Sequence, residues 1–183
     1  MKATTVESKF PLLAVEAGCI ISKDADITVA YRVELPELFT VTSAEYEAIH
    51  AAWVKAVKVL PDYSIVHKAD WFISEKYRPQ TGDGDMSFLS RSYERHFNER
   101  PFLNHSCYLF LTKTTKERMR MQSNFSTLCR GNIIPKEVNK DTATKFLEAT
   151  GQFERIINDS GFITITCLTD DEITGTPDNA GLI

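Results

Sequence analysis

Apolar and polar residues alternate from Ile27 to Leu35, with Ile27, Val29, Tyr31, Val33 and Leu35 pointing one way. That period of two predicts a half-buried strand. Pro36 ends it, because proline has no ladder donor. Upstream, Phe10–Ala17 reads as a first strand and Cys19–Ser22 as a second extended piece, with Gly18 between them. The period then changes. Thr42 and Glu45 have the spacing of a capping box. Tyr46, Ile49, Trp53, Ala56, Val57 and Leu60 follow on one helical stripe, stopped by Pro61. A strand is predicted over 63–73. A polar loop at 75–86 separates it from a short helix over 87–98, with Leu89, Tyr93, His96 and Phe97 on one side.

Residues 103–112 give the strongest strand pattern, with Cys107, Leu109 and Leu111 on one face and Tyr108 and Phe110 on the other. Apolar groups on both faces predict a central strand. Thr114 to Gly131 predicts a further helix carrying Met121, Phe125 and Leu128. A long helix over 140–158 and a closing strand over 162–168 follow. The strong elements read β-α-β-β-α-β, the ferredoxin-like split arrangement. The expectation is an α+β, two-layer domain over 1–168, its helices on one sheet face and the 87–98 helix inserted between the middle strands. The alternative is a doubly wound α/β sheet, which lacks support from a Gly-rich turn after any strand. Residues 169–183 are acidic and turn-rich and read as a linker.

With 183 residues, 43% of them hydrophobic and 25% charged, the chain is long enough to close a core without disulfide or metal staples. No apolar run reaches the ~18 residues that a membrane-spanning helix needs. The polar N-terminus gives no signal-peptide pattern, so a cytoplasmic location is expected. The four cysteines, 19, 107, 129 and 167, are scattered and are expected as reduced, buried apolar groups. The four histidines form no metal pattern. His105 and Cys107 lie two apart on one strand, which predicts packing, and two ligands do not make a zinc site.

Net charge is −4, with no global pull toward nucleic acid. The distribution is uneven. Residues 113–136 hold six basic side chains against Glu117 alone, ahead of an acidic C-terminal stretch. Lys113, Lys116, Arg118, Arg120, Arg130 and Lys136 are therefore the candidate contacts for DNA, an anionic membrane surface or an acidic protein. No G-x-x-x-x-G-K-[ST] loop, G-x-S-x-G elbow or H-E-x-x-H motif is present. No catalytic, cofactor-binding or metal-binding residue is expected in this chain, and a free-standing enzyme is the weakest of three classes.

Three long runs carry a family resemblance: FPLLAVEAGCIISKDADITVAYRVELPELFT at 10–40, YEAIHAAWVKAVKVLPDYSIVHKADWF at 46–72, and FLSRSYERHFNERPFLNHSCYLFLTKTTKERMRMQSNFSTLCRG at 88–131. They resemble the N-terminal domain of the TraG conjugation ATPases of conjugative transposons, a class of type IV secretion ATPase. The resemblance spans about 9 to 168. It implies a non-catalytic docking domain that holds a motor at the cytoplasmic face of the inner membrane. Partners would be other secretion-system inner-membrane proteins or further copies of itself. ATP and Mg are expected only in a C-terminal domain beyond Ile183, to which 169–183 would lead. The competing reading is a nucleic-acid-binding module acting through 113–136.

Overall fold

A computed structural model describes residues 10–23, 26–37, 40–77, 87–114 and 140–183. The elements are β1 (Leu12–Glu16), β2 (Cys19–Ser22), β3 (Ile27–Glu34), α1 (Ser43–Lys58), β4 (Ser64–Lys76), α2 (Phe88–Asn98), β5 (Pro101–Lys113), α3 (Lys140–Asn158), β6 (Thr164–Cys167) and α4 (Asp170–Thr174). The helix expected over 114–131 lies outside the described residues, apart from its first position.

The sheet runs β1-β2-β3-β5-β4, and β6 also pairs with β3. The ladders β1/β2, β2/β3 and β3/β6 are antiparallel. A doubly wound parallel sheet is thereby excluded, and the α+β class holds. The sheet differs from a four-stranded β-α-β-β-α-β unit in one respect. The β1–β2 hairpin adds two strands, and β2 and β6 divide one strand between them. β2 takes Ile27 to Val29, and β6 takes Tyr31 to Glu34. The hairpin turn at Ala17 and Gly18 has positive φ at both residues, 53° and 73°. Such a turn matches the twist of its flanking strands.

The chain divides into two compact units, Met1–Lys68 with Tyr108–Ile183, and Ala69–Cys107. A single domain over 1–168 was expected. The second unit separates because its residues pair with one another: Phe72 with His105, and Tyr77 with Phe97. In the first unit, β4 and β5 are antiparallel neighbours. The Thr114 amide donates to the Tyr63 carbonyl at 3.1 Å, and the His67 ring meets Phe110. Four residues forward on one strand thus match four back on the other.

The first unit buries apolar side chains on both faces of its sheet. On one face Tyr31, Val33 and Ile165 are buried, and so are Phe146, Phe153 and Ile157 of α3. Two sets of bonds fix α3 there. The Tyr31 hydroxyl donates to the Thr150 carbonyl at 3.4 Å, and Asn158 brackets Ile165 through both its amide and its carbonyl, at 3.0 and 2.8 Å. α1 packs on α3, with Trp53 edge-on to Phe153 at 5.8 Å. Its capping box forms as the sequence predicts: Thr42 accepts from the Glu45 amide, and Glu45 accepts from the Thr42 amide at 2.7 Å. Ala56 is its buried centre, whereas Tyr46 and Val57 are exposed. At 3.6 residues per turn those two lie roughly 80–100° around the helix from Ala56, beyond the width that one neighbouring helix covers.

The other face is closed by the C-terminal segment. Ile20, Ala30, Leu168 and Ile173 form a buried cluster, with Leu12, Val15, Tyr108, Phe110 and Leu182 packed against it. The linker expected over 169–183 is therefore a folded part of the first unit. A second capping box, Thr169 with Glu172, starts α4. Leu182 returns to the Ile173 carbonyl through its amide at 2.9 Å. Gly175 permits that return: a Cβ there would lie 2.5 Å from the Gly181 nitrogen, and its φ is 83°. The glycines and Pro177 mark a tight reversal on a hydrophobic anchor, not an extended chain.

Candidate interaction surface

Of the six basic residues singled out above, Lys116, Arg118, Arg120, Arg130 and Lys136 lie outside the described residues. Lys113 is described, at the end of β5. Its ammonium donates to the Asp62 carbonyl at 2.5 Å and to the Thr114 carbonyl at 3.2 Å. It also sits 5.4 Å above the Tyr63 ring. Burial draws its pKa below the usual lysine value, with Asp62 opposing the shift. Those contacts hold the turn into β4, where Tyr63 has a φ of 61°. Lys113 acts as a clamp on that turn.

The unit Ala69–Cys107 carries a different feature. Its described residues include one buried side chain, Cys107. Among the described residues, nine of the twenty exposed large hydrophobics lie in it, although it covers about a fifth of the chain. On α2, Phe88 and Leu89 are 77% and 78% exposed, and on the strands Phe72 and Leu103 are 63% and 67% exposed. Exposed apolar side chains concentrated in this way mark interaction surfaces.

Local bonds explain how the unit holds this shape. Ser87 caps α2, its hydroxyl accepting from the Ser90 amide at 3.2 Å. Tyr77 anchors the helix: its ring meets Phe97 edge-on, and its hydroxyl donates to Glu94 at 3.3 Å. Burial and the Glu94 charge raise the Tyr77 pKa. Leu89, Tyr93 and Phe97 fall at i, i+4 and i+8, so they form one stripe. On the strands, the His105 ring bonds Asp70 at 2.9 Å and stacks on Phe72 at 4.7 Å. Asn104 donates to Glu75 at 3.2 Å. Arg95 pairs with Glu99 at 2.8 Å, and this bond lowers the Glu99 pKa. The described charges of the unit are Lys76, Arg91, Arg95 and Arg100 against Asp70, Glu75, Glu94 and Glu99. Among the described residues they balance, so the described surface of the unit is apolar without a net charge.

The α2 stripe was legible in the sequence as one side of a helix. What periodicity does not contain is a partner element, and none of the described residues buries Leu89 or Tyr93. His105, expected to pack on its strand, bonds Asp70 and stacks on Phe72. Among the described residues no three His, Cys, Asp or Glu side chains gather into a metal-binding group. No helix among them is long and apolar enough to cross a membrane.

Residues 1–51 fit the family described as "Domain of unknown function, B. Theta Gene description (DUF3875)". That stretch takes in β1, β2, β3 and the first half of α1, the N-terminal part of the first unit. No curated protein matches the chain.

Proposed function

We propose that this chain is a docking and assembly module of a conjugative-transfer ATPase of the TraG kind, acting through the apolar unit Ala69–Cys107. The observation that carries the reading is the concentration of exposed large hydrophobics on that unit beside a well-filled core in the other. A domain with one closed core and one open apolar surface is built to be completed by another protein. The sequence resemblance over 9–168 supports the conjugation context, and the N-terminal family match, with its B. Theta description, is compatible with it. Other inner-membrane components of a type IV secretion system are the partners in this reading. The module holds the motor at the cytoplasmic face of the membrane as a peripheral protein. ATP and Mg belong to a motor domain, not to this module.

The nucleic-acid reading is the weaker one, since Lys113 is engaged by two carbonyls and the Tyr63 ring. The test compares two variants in the intact protein. Leu89→Ser with Tyr93→Ser removes apolar surface without touching a buried group. Lys116→Glu with Arg118→Glu reverses charge in the basic segment. The docking reading expects the first variant to lower DNA transfer between cells at least tenfold and to lose co-purification with inner-membrane proteins. Normal transfer by the first variant and loss with the second would overturn it.

A further inference from the structure

The joint between the β1–β2 hairpin and β6 carries two free thiols, Cys19 and Cys167. We propose that Cys19 and Cys167 close an intramolecular disulfide that fastens the hairpin to β6 under oxidising conditions.

The register places both on one face. Cys19 pairs with Val29 and Cys167 with Tyr31. Directly paired residues point to the same side, and Val29 and Tyr31, two apart on β3, share a side as well. β5 occupies the other edge of β3, so β2 and β6 follow one another along a single edge. Contacts at the joint confirm it. A Cβ on Gly18 would lie 3.5 Å from the Leu168 carbonyl oxygen and 3.8 Å from the Cys167 sulfur. Two residues of strand rise are roughly 6.8 Å, the upper end of the Cα separation that a disulfide spans. Gly18 precedes Cys19, and its φ of 73° belongs to the turn, the part of the hairpin that adjusts most readily.

A low-molecular-weight disulfide such as oxidised glutathione supplies the oxidant. The partly exposed Cys167 thiolate attacks it and releases one glutathione thiolate. Cys19 then attacks the Cys167 sulfur, forms the S–S bond and expels the second. Two protein thiols become one disulfide, and one glutathione disulfide becomes two thiols. Burial raises both thiol pKa values, with Glu154, Asp170 and Glu172 adding negative charge around the pair. The exchange is accordingly slow at neutral pH and quickens as pH rises.

The test treats the purified chain with oxidised glutathione at pH 8 and maps it by non-reducing tryptic mass spectrometry. Cleavage after Lys9, Lys23 and Arg155 leaves Cys19 in the peptide 10–23 and Cys167 in 156–183. The expected product is these two peptides joined, with a melting midpoint about 10 °C above that of the reduced chain, since the bond closes a very long loop. Cys167→Ser and Cys19→Ser each abolish the rise, and Cys107→Ser keeps it. Mixed glutathione adducts alone, or a linkage through Cys107 or Cys129 instead, would overturn the proposal. The mapping on wild-type protein decides the matter even if a serine variant fails to fold.

Discussion

The carboxylate of Asp170 grips the backbone of Gly18. Its two oxygens accept from the Gly18 amide at 2.6 Å and from the Ala17 amide at 3.1 Å, across 152 and 153 sequence positions. Both amides point out of a tight turn and have no ladder partner there, so the side chain satisfies donors that the hairpin leaves open. Asp170→Ala should destabilise the fold by about 1–3 kcal/mol. Asp170→Asn should cost less, because one amide keeps an acceptor. Chemical denaturation of the three proteins checks the order, and equal midpoints would show that water replaces the carboxylate.

Ile173 tests whether the C-terminal segment is part of the core. It is fully buried among Ile20, Ala30 and Leu168. Ile173→Ala should cost ~2–5 kcal/mol, the range for a large-to-small change in a packed site. A midpoint within error of wild type would mean that 170–183 detaches in solution.

Trp53 should matter less than its size suggests. It is half-buried and meets Phe153 at its edge, whereas Phe153 is fully buried. Trp53→Ala is expected to cost ~1–3 kcal/mol and Phe153→Ala ~3–5 kcal/mol. Thermal melts of both variants compare them directly. A larger loss from Trp53 would place the centre of the helix pair at the wrong residue.

Tyr31 and two capping carboxylates make stability depend on pH from opposite ends. Burial raises the Tyr31 pKa well above the ordinary tyrosine value of about 10, with the bond to Thr150 opposing the shift. The unfolded chain therefore loses this proton near pH 10 while the folded chain keeps it. The contribution is full below that point and declines as pH rises through it. Tyr31→Phe should flatten the alkaline decline seen in melting midpoints measured from pH 8 to 11.

At the acid end the sign reverses. Bonds from the Thr169 amide and hydroxyl, with Arg32 at 2.9 Å, lower the Glu172 pKa. Thr42 does the same for Glu45. Both contributions are present above the ordinary carboxylate range and are lost as pH falls below it. Glu172→Gln should shift the acid unfolding midpoint to lower pH than wild type, because that variant has no charge left to lose. An unchanged midpoint would show that the cap is screened to nothing at this exposed position.

The elements were largely legible because their signals are local. Thr42 and Glu45 announce the start of α1 within four residues, and Ile27 to Val33 announce β3 by alternation alone. β5 read as central because Tyr108 and Phe110 are apolar opposite Cys107 and Leu109, and the sheet does place it between β3 and β4. The C-terminal segment was misread for a physical reason. Ile173 stands alone among acids and turn formers, and Leu182 with Ile183 comes nine residues later, so these anchors have no period to detect. The apolar unit escaped detection for a different reason. The stripe of Leu89, Tyr93 and Phe97 has a clear period, but a period states only which residues share a face. It does not state whether the chain itself supplies the cover. The basic segment 113–136 stood out by charge count, and the one member whose contacts are described, Lys113, turned out to hold a turn.

The division of β3 between β2 and β6 has a consequence for synthesis. As the chain leaves the ribosome, β3 and its hairpin emerge early, but half of one edge stays open until β6 follows. A strand with an open edge and an uncovered apolar face is a template for pairing with other nascent chains. Contacts of such sequence separation also slow the search for the native state. The N-terminal half therefore depends on being shielded while the remainder is made, and an early stop in translation would release a fragment prone to aggregate.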